Sequence, residues 1–299
     1  MTILDSSELL AQLPSELHAD ITHMVSELPD LFDQRRLAEM DAHLAGRVLA
    51  SSSFIQRQAV RFPEISEKLL QGVGPINWCV DSLFEELTGR VDGVTDEATM
   101  MPLLRQFRNQ YMLQIAWLDL AGAEVDSILQ YLSALADALI RCAVEWAYSM
   151  ACARSGIPRD EQGKEQQLIV IGMGKLGAKE LNFSSDIDLI FCLLDKVTVD
   201  GFVFRVDTRL RPFGESGALV LNHDAMEIYY QSHAREWERY AMVKARLITG
   251  SKEGKAELTT MIKAFVFRRY LDYGVFDSIR VMKRQIEAQL QKKGVEHNV

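Results

Sequence analysis

Two short apolar runs, set deep in an otherwise helical sequence, constrain this chain more than any other feature. Leu168-Ile169-Val170-Ile171 ends at Gly172, and Ile187 to Leu194 follows a polar interval. Both are rich in β-branched residues and bounded by turn formers, which marks buried strands. Phe202 to Leu210 is a third run, with apolar residues alternating. On the N-terminal side, up to about residue 160, the pattern is helical. Leu104, Phe107, Tyr111, Ile115 and Leu118 recur at steps of three and four. Ile128, Leu132, Leu135, Leu139, Cys142 and Trp146 repeat that spacing after Ala121-Gly122-Ala123. Such stripes line the inside of a helical bundle, and nothing catalytic stands in them. Helical period returns from Asp224, through Met226, Tyr229 and Tyr230, and runs to Gln291. The expected fold is α+β and mostly helical. It comprises a helical domain over 1–160, a core with a small mixed sheet over 161–250, and a helical segment over 251–299.

Composition narrows the partners. A chain of 299 residues, 48% hydrophobic and 25% charged, can bury one large core or two modest ones. Its formal net charge of −9 argues against a nucleic-acid backbone as the main partner. No run of about 18 apolar residues appears, so no membrane span is expected. The start, Met1-Thr2-Ile3-Leu4-Asp5, lacks the pattern of a signal peptide. Cys79, Cys142, Cys152 and Cys192 are scattered, without metal-ligand spacing. Cys192 reads as a buried thiol, and the set fits a reducing cytoplasm.

Chemistry concentrates around the strands. Gly172-Met173-Gly174-Lys175-Leu176-Gly177 follows the first one directly. Glycines there allow a sharp turn and a close backbone approach to phosphate. The same residues are compatible with a plain strand-to-helix turn, or with a partial dinucleotide fingerprint. Against the fingerprint, acidic residues come early and as a pair, and no regular βαβ array follows. That pair is Asp186 and Asp188. Residues two apart on a strand share a face, so both carboxylates would project together while Ile187 and Leu189 face the core. Two carboxylates so close suit a hard divalent cation, the alternative being a solvated strand edge. On the third run Arg205, Asp207, Arg209 and Arg211 fall on one face, opposite Phe202, Phe204, Val206 and Leu210. Either Asp207 is a third metal carboxylate with arginines ready for phosphate, or the face is an ion-pair ladder. Pro212 to Gly217 then forms a glycine-bearing turn that shapes a pocket or ends the strand.

A glycine turn, an Asp-x-Asp pair and a third aspartate on a later strand form the signature of the polymerase-β-like nucleotidyltransferase fold. Asp186 lies 12 positions after Gly174 (186 − 174), within that fold's range. Gly172 to Asp188, Arg205 to Gly217, Trp237 to Arg246, and Phe267-Arg268-Arg269-Tyr270 resemble the glutamine synthetase adenylyltransferase family. The Phe183-Ser184-Ser185-Asp186-Ile187-Asp188 and Pro212-Phe213-Gly214-Glu215-Ser216-Gly217 versions resemble its N-terminal, adenylyl-removing half. Leu104 to Arg108 and Gln114 to Trp117 fit that half as well.

The resemblance implies a fragment of a longer enzyme that removes AMP from a modified tyrosine of glutamine synthetase by Mg²⁺-dependent phosphorolysis, giving ADP. Asp186, Asp188 and Asp207 would hold two Mg²⁺ ions. Gly174, Lys175, Ser185, Arg209 and Arg211 would meet the nucleotide (ADP or ATP) and inorganic phosphate. Glu238, Tyr240 and Lys244 are placed on a helix, the last two sharing a face. Expected partners are adenylylated glutamine synthetase and the PII signalling protein, with no nucleic acid and no membrane. Two other readings are an adenylylating direction, from ATP to protein-AMP, and an impaired regulatory module. The module finds its motive in the short connection, only Cys192 to Asp200, where the family carries a longer insert with a helix.

Overall fold

The computed structural model describes residues 13–27, 42–70, 78–159, 163–193 and 206–267, with positions 280, 283 and 284. The first half of the third run (202–205), the connection 194–200 and residues 268–270 lie outside the described residues. The chain divides into two compact units, one built from residues up to Glu145 with Lys179–Ser184, the other from Trp146–Ala178 and from Ser185 onward.

The first unit is helical. Its elements are α1 (His18–Glu27), α2 (Ala42–Ser51), α3 (Ser53–Arg61), α4 (Pro63–Leu70), α5 (Val80–Val91), α6 (Glu97–Leu120) and most of α7 (Val125–Ser155). Local signals set the starts: the Ser52 hydroxyl accepts from Ile55 N–H, and Asp96 accepts from Thr99 N–H at 2.9 Å. Pro63 opens α4, where its missing N–H costs nothing. The stripe on α6 behaves as its spacing predicts: Leu104, Phe107, Tyr111 and Ile115 are buried, Leu118 half-buried. The helix also buries Leu113 and Trp117, which join Val48, Leu49, Ile55 and Leu69 in a second cluster. On α7, Ile128, Leu132, Leu135, Leu139 and Cys142 are buried, with Trp146 half-buried. By length and composition alone α7 would pass as a membrane-crossing helix. Yet 56% of its most apolar stretch is buried within the protein, because the apolar residues serve a core.

The second unit is α+β with a mixed sheet. Its elements are β1 (Ile169–Gly172), α8 (Gly174–Ala178), β2 (Ile187–Leu193), β3 (Val206–Asp207), β4 (Val220–Asn222), α9 (His223–Ser232), α10 (Glu236–Met242), β5 (Arg246–Leu247) and α11 (Lys252–Val266). β1 pairs antiparallel with β2 on one side and β5 on the other. β3 and β4 both pair parallel with β2 along its second edge, β3 beside Ile187–Asp188 and β4 beside Phe191–Leu193. They are one edge strand interrupted. In unbroken register, residue 210 would face Phe191; Val220 does so, leaving ten residues (220 − 210) looped out. Ile169, Ile171, Ile190 and Cys192 pack against Met226, Tyr230, Met242 and Leu258 from the helices. Cys192 is fully buried as expected, and burial pushes its thiol up to about 12.

The third run is shorter as a strand than its alternation predicts. Only Val206 and Asp207 pair among its described residues; Thr208 to Leu210 leave in a turn. The physical reason is local. The Asp207 carboxylate accepts the backbone N–H of Arg209 at 2.8 Å, closing an Asx turn that competes with further strand pairing.

Candidate active site

The glycine turn is held from three strands at once. Met173, buried after the end of β1, donates its N–H to the Asp188 carbonyl on β2 at 2.9 Å. Gly174 has φ +53°, and a Cβ there would stand 2.8 Å from Asp188 Oδ2. At Gly177 a Cβ would meet the Lys244 carbonyl oxygen at 1.9 Å and that of Gly172 at 2.6 Å. From β5, Arg246 donates to the carbonyls of Gly177 (3.1 Å) and Leu176 (2.8 Å), which closes the C-terminal end of α8. Lys175 is exposed in that short helix.

Register then gathers the aspartates. Asp188 and Asp207 are paired across β2 and β3. Asp188 is half-buried; Asp186, just before β2 begins, is exposed; Ile187 and Leu189 face inward as the period of two requires. Burial, with the charges of Asp207 and Asp186, pushes the Asp188 carboxyl above the usual carboxylate range, and Arg209 opposes the shift. Asp207 moves the other way, because hydrogen bonds from Arg209 hold it low. Arg209 donates Nε to both Asp207 oxygens (3.0 and 2.8 Å) and Nη2 to Oδ2. Among the described residues no three of His, Cys, Asp or Glu are gathered as a metal cage; the Asp207 carboxylate is turned onto Arg209. Ser185 is half-buried beside Asp186 in sequence.

Arg211 stands apart from the carboxylates. Its guanidinium donates to the carbonyls of Thr208 (3.0 Å), Glu215 (3.1 Å) and Gly217 (3.2 Å), and to Thr208 Oγ1 (2.8 Å). The fork thus braces the loop that the interrupted strand throws out. Phe213 at the loop's far side has φ +62° and is exposed. Its ring meets Tyr229 edge-on at 4.5 Å and lies 5.7 Å from His233. Tyr229 in turn donates its hydroxyl to buried Glu238 at 2.5 Å, and Glu238 also accepts the Arg235 N–H at 2.6 Å.

Glu238 falls on a helix as the sequence reading expects, whereas the placement of Tyr240 and Lys244 differs from it. Glu238 is occupied internally by Tyr229 and Arg235. Tyr240 and Lys244 do not share a helix face, since α10 ends at Met242 and Lys244 follows in a turn. Its backbone carbonyl, against Gly177, is what the site uses. The Arg246 clamp and the Phe213–Tyr229–Glu238 chain were not read from sequence at all. Their only trace there was membership of the strings Arg205 to Gly217 and Trp237 to Arg246.

The chain is similar in sequence to known proteins across this region. The family model for glutamate-ammonia ligase adenylyltransferase covers residues 42–193 and 191–261, so its two segments meet at the end of β2. A bifunctional glutamine synthetase adenylyltransferase/adenylyl-removing enzyme from Thioalkalivibrio sulfidiphilus is 39% identical over 327 residues, covering 98% of this chain and 33% of the relative. The protein of that name from Methylococcus capsulatus is 46% identical over 243 residues, covering 72% and 26%. That from Shewanella loihica is 40% identical over 282 residues, covering 84% and 29%. The chain thus spans about a third of the length of these curated relatives. The first alignment runs over 327 positions while taking in 98% of this chain's 299 residues, so the relative carries residues with no counterpart here. The division between the two matched segments falls at the end of β2, next to the short connection, which lies within the second segment. With both segments matched across more than half its length, the chain belongs to the glutamate-ammonia ligase adenylyltransferase family.

Proposed function

We propose that this chain is a nucleotidyltransferase that removes AMP from adenylylated tyrosine of glutamine synthetase by phosphorolysis, releasing ADP. The observation that carries the reading is Asp188 set beside Asp207, with Asp186 near and the Gly174 turn against the Asp188 carboxylate. These residues fit a hard divalent cation. Burial, and then two neighbouring carboxylates, disfavour the charged Asp188, and positive charge between the carboxylates offsets that penalty. The missing Cβ of Gly174 leaves its oxygen uncovered. Mg²⁺ held by Asp186, Asp188 and Asp207 supplies charge stabilisation to the attacking and leaving oxygens of an in-line displacement.

The chain's own groups do the remaining work. A phosphate oxygen attacks the α-phosphorus, the bond to the tyrosine oxygen breaks, and the proton balance leaves a tyrosine hydroxyl and ADP. Phosphate arrives ionised, so no general base is needed. Arg209, 71% exposed though paired with Asp207, is the guanidinium placed to reach a phosphate oxygen, while Arg211 holds the loop that follows it. Lys175, Ser185 and the Gly174 backbone meet the nucleotide phosphate. The removal direction is supported by the resemblance of Phe183–Asp188 and Pro212–Gly217 to the adenylyl-removing half. A protein substrate, rather than nucleic acid, agrees with the net charge of −9. Glutamine synthetase is then the substrate and the PII protein a regulatory partner, in the cytoplasm.

The test is to incubate the chain with adenylylated glutamine synthetase, Mg²⁺ and phosphate, and to measure ADP beside an Asp188→Asn control. ADP release abolished by the substitution supports the reading. AMP transfer from ATP onto unmodified glutamine synthetase, without ADP release from the adenylylated form, reverses the direction. Neither activity, from folded protein that still binds glutamine synthetase, makes the chain a binding module.

A further inference from the structure

The two oxygens of Asp207 already have a cationic partner. Arg209 reaches both with Nε, reaches Oδ2 again with Nη2, and adds its backbone N–H to Oδ1. This is a bidentate carboxylate–guanidinium pair, formed two residues apart on a turn. Asp207 is 20% exposed in its side chain, whereas Arg209 is 71% exposed, so the partner that has to move is the one in water. Exposed pairs of this kind are weak and are readily exchanged for another cation. The field of Arg209 also extends to Asp188, where it opposes the repulsion from the other two carboxylates.

We propose that Arg209 is an exchangeable internal counter-ion: it neutralises Asp207 until a divalent cation takes over those oxygens, and it is thereby released to the phosphate of the nucleotide. This rests on the nucleotidyltransferase reading above and adds a coupling to it. Cation and guanidinium compete for one carboxylate, and the displaced guanidinium becomes a ligand for the anion that accompanies the cation. Cation binding and nucleotide binding then reinforce each other through one side chain. The backbone N–H of Arg209 stays on Asp207 throughout, so the side chain swings from a fixed root. Arg211, whose fork is engaged by Thr208, Glu215 and Gly217, keeps the rest of the loop in place meanwhile.

The sign of one change separates this from a merely structural role. If Arg209 competes with the cation, Arg209→Gln binds Mn²⁺ about two- to fivefold more tightly than the unaltered chain, the range an exposed ion pair allows. The same variant binds ADP more weakly in the presence of Mn²⁺, and the ADP-induced tightening of Mn²⁺ shrinks. If Arg209 instead holds Asp207 in the orientation a cation needs, Arg209→Gln weakens Mn²⁺ binding. Arg209→Lys, which keeps the charge and loses the fork, falls between the two. Titration of the folded chains with Mn²⁺, followed by electron paramagnetic resonance of the free ion, reads all of this without turnover. Weaker or unchanged Mn²⁺ binding in Arg209→Gln overturns the proposal. No Mn²⁺ binding by the unaltered chain, or binding indifferent to Asp188→Asn, overturns the underlying site assignment instead.

Discussion

Asp188 and Asp207 face each other at paired positions on adjacent parallel strands, so both side chains leave the sheet on the same side. Neighbouring strands run about 4.8 Å apart, and at that spacing two carboxylates repel through partly dry surroundings. The fold tolerates the repulsion unevenly: hydrogen bonds from Arg209 hold Asp207 low, whereas at Asp188 Arg209 offsets only part of the penalty.

That asymmetry has a pH signature. The folded-state value of Asp188 lies above its ordinary 3.8, so its contribution to stability is present below about that pH and is lost as pH rises through the raised value. Asp188→Asn removes the penalty. Without divalent cation, the variant is expected to match the unaltered chain near pH 4 and to exceed it in stability at pH 7. Thermal unfolding across that range measures it. Added Mg²⁺ should raise the melting point of the unaltered chain alone. A variant less stable than its parent at pH 7 in chelator would show that Asp188 is not under strain.

The two glycines of the turn should fail differently. Gly177→Ala drives a methyl into the backbone oxygens of Lys244 at 1.9 Å and Gly172 at 2.6 Å, where nothing flexible can yield. It should cost about 3 kcal/mol, near the top of the overpacking range. Gly174→Ala carries a left-handed backbone penalty of about 1–2 kcal/mol and presses on a side-chain carboxylate that can turn aside. Its main loss should be in catalysis, at least about tenfold, by displacing Asp188. Denaturant melts and ADP release together resolve the pair; equal stability losses would contradict the geometry.

Glu238 is buried with two donors, and Tyr229 supplies one of them. Tyr229→Phe therefore leaves a buried carboxylate short of a partner and should destabilise by about 2 kcal/mol. Leu219, exposed nearby in sequence, gives a control that should stay within about 0.5 kcal/mol on change to Ser. Equilibrium unfolding of both variants decides it.

Arg211 should behave as a brace. Its contacts use all three nitrogens of a planar fork, which a lysine cannot reproduce. Arg211→Lys and Arg211→Ala should therefore lose activity alike, about tenfold, while Mn²⁺ binding persists. Rescue by lysine would instead assign Arg211 a plain charge role at the phosphate.

What the sequence disclosed, and what it hid, follows from the range of the interactions. The stripes on α6 and α7 and the alternation at Ile187, Asp188 and Leu189 are local periodicities, and the structure keeps them. Asp207 announced itself by its company of arginines, yet the extent of its strand did not. Alternation over Phe202 to Leu210 extends through the turn at Thr208, where a side-chain hydrogen bond within the segment overrides it. Tyr240 and Lys244 looked like one helix face because spacing does not reveal that α10 stops at Met242. The Arg246 clamp joins residues 69 and 70 positions apart, and the edge shared by β3 and β4 depends on long-range register. Neither leaves a periodic trace.

The interrupted edge strand separates two duties that usually constrain one another. Asp207 belongs to the sheet, and its position is fixed by pairing with Asp188. Arg209, Arg211 and Phe213 belong to an excursion whose two ends rest on β2 only three residues apart (191 − 188). An excursion rooted so narrowly can be lengthened, shortened or replaced while β1, β2 and β5 keep their register. The surface segment can therefore vary in length and chemistry with the pairing of Asp188 and Asp207 left as it stands.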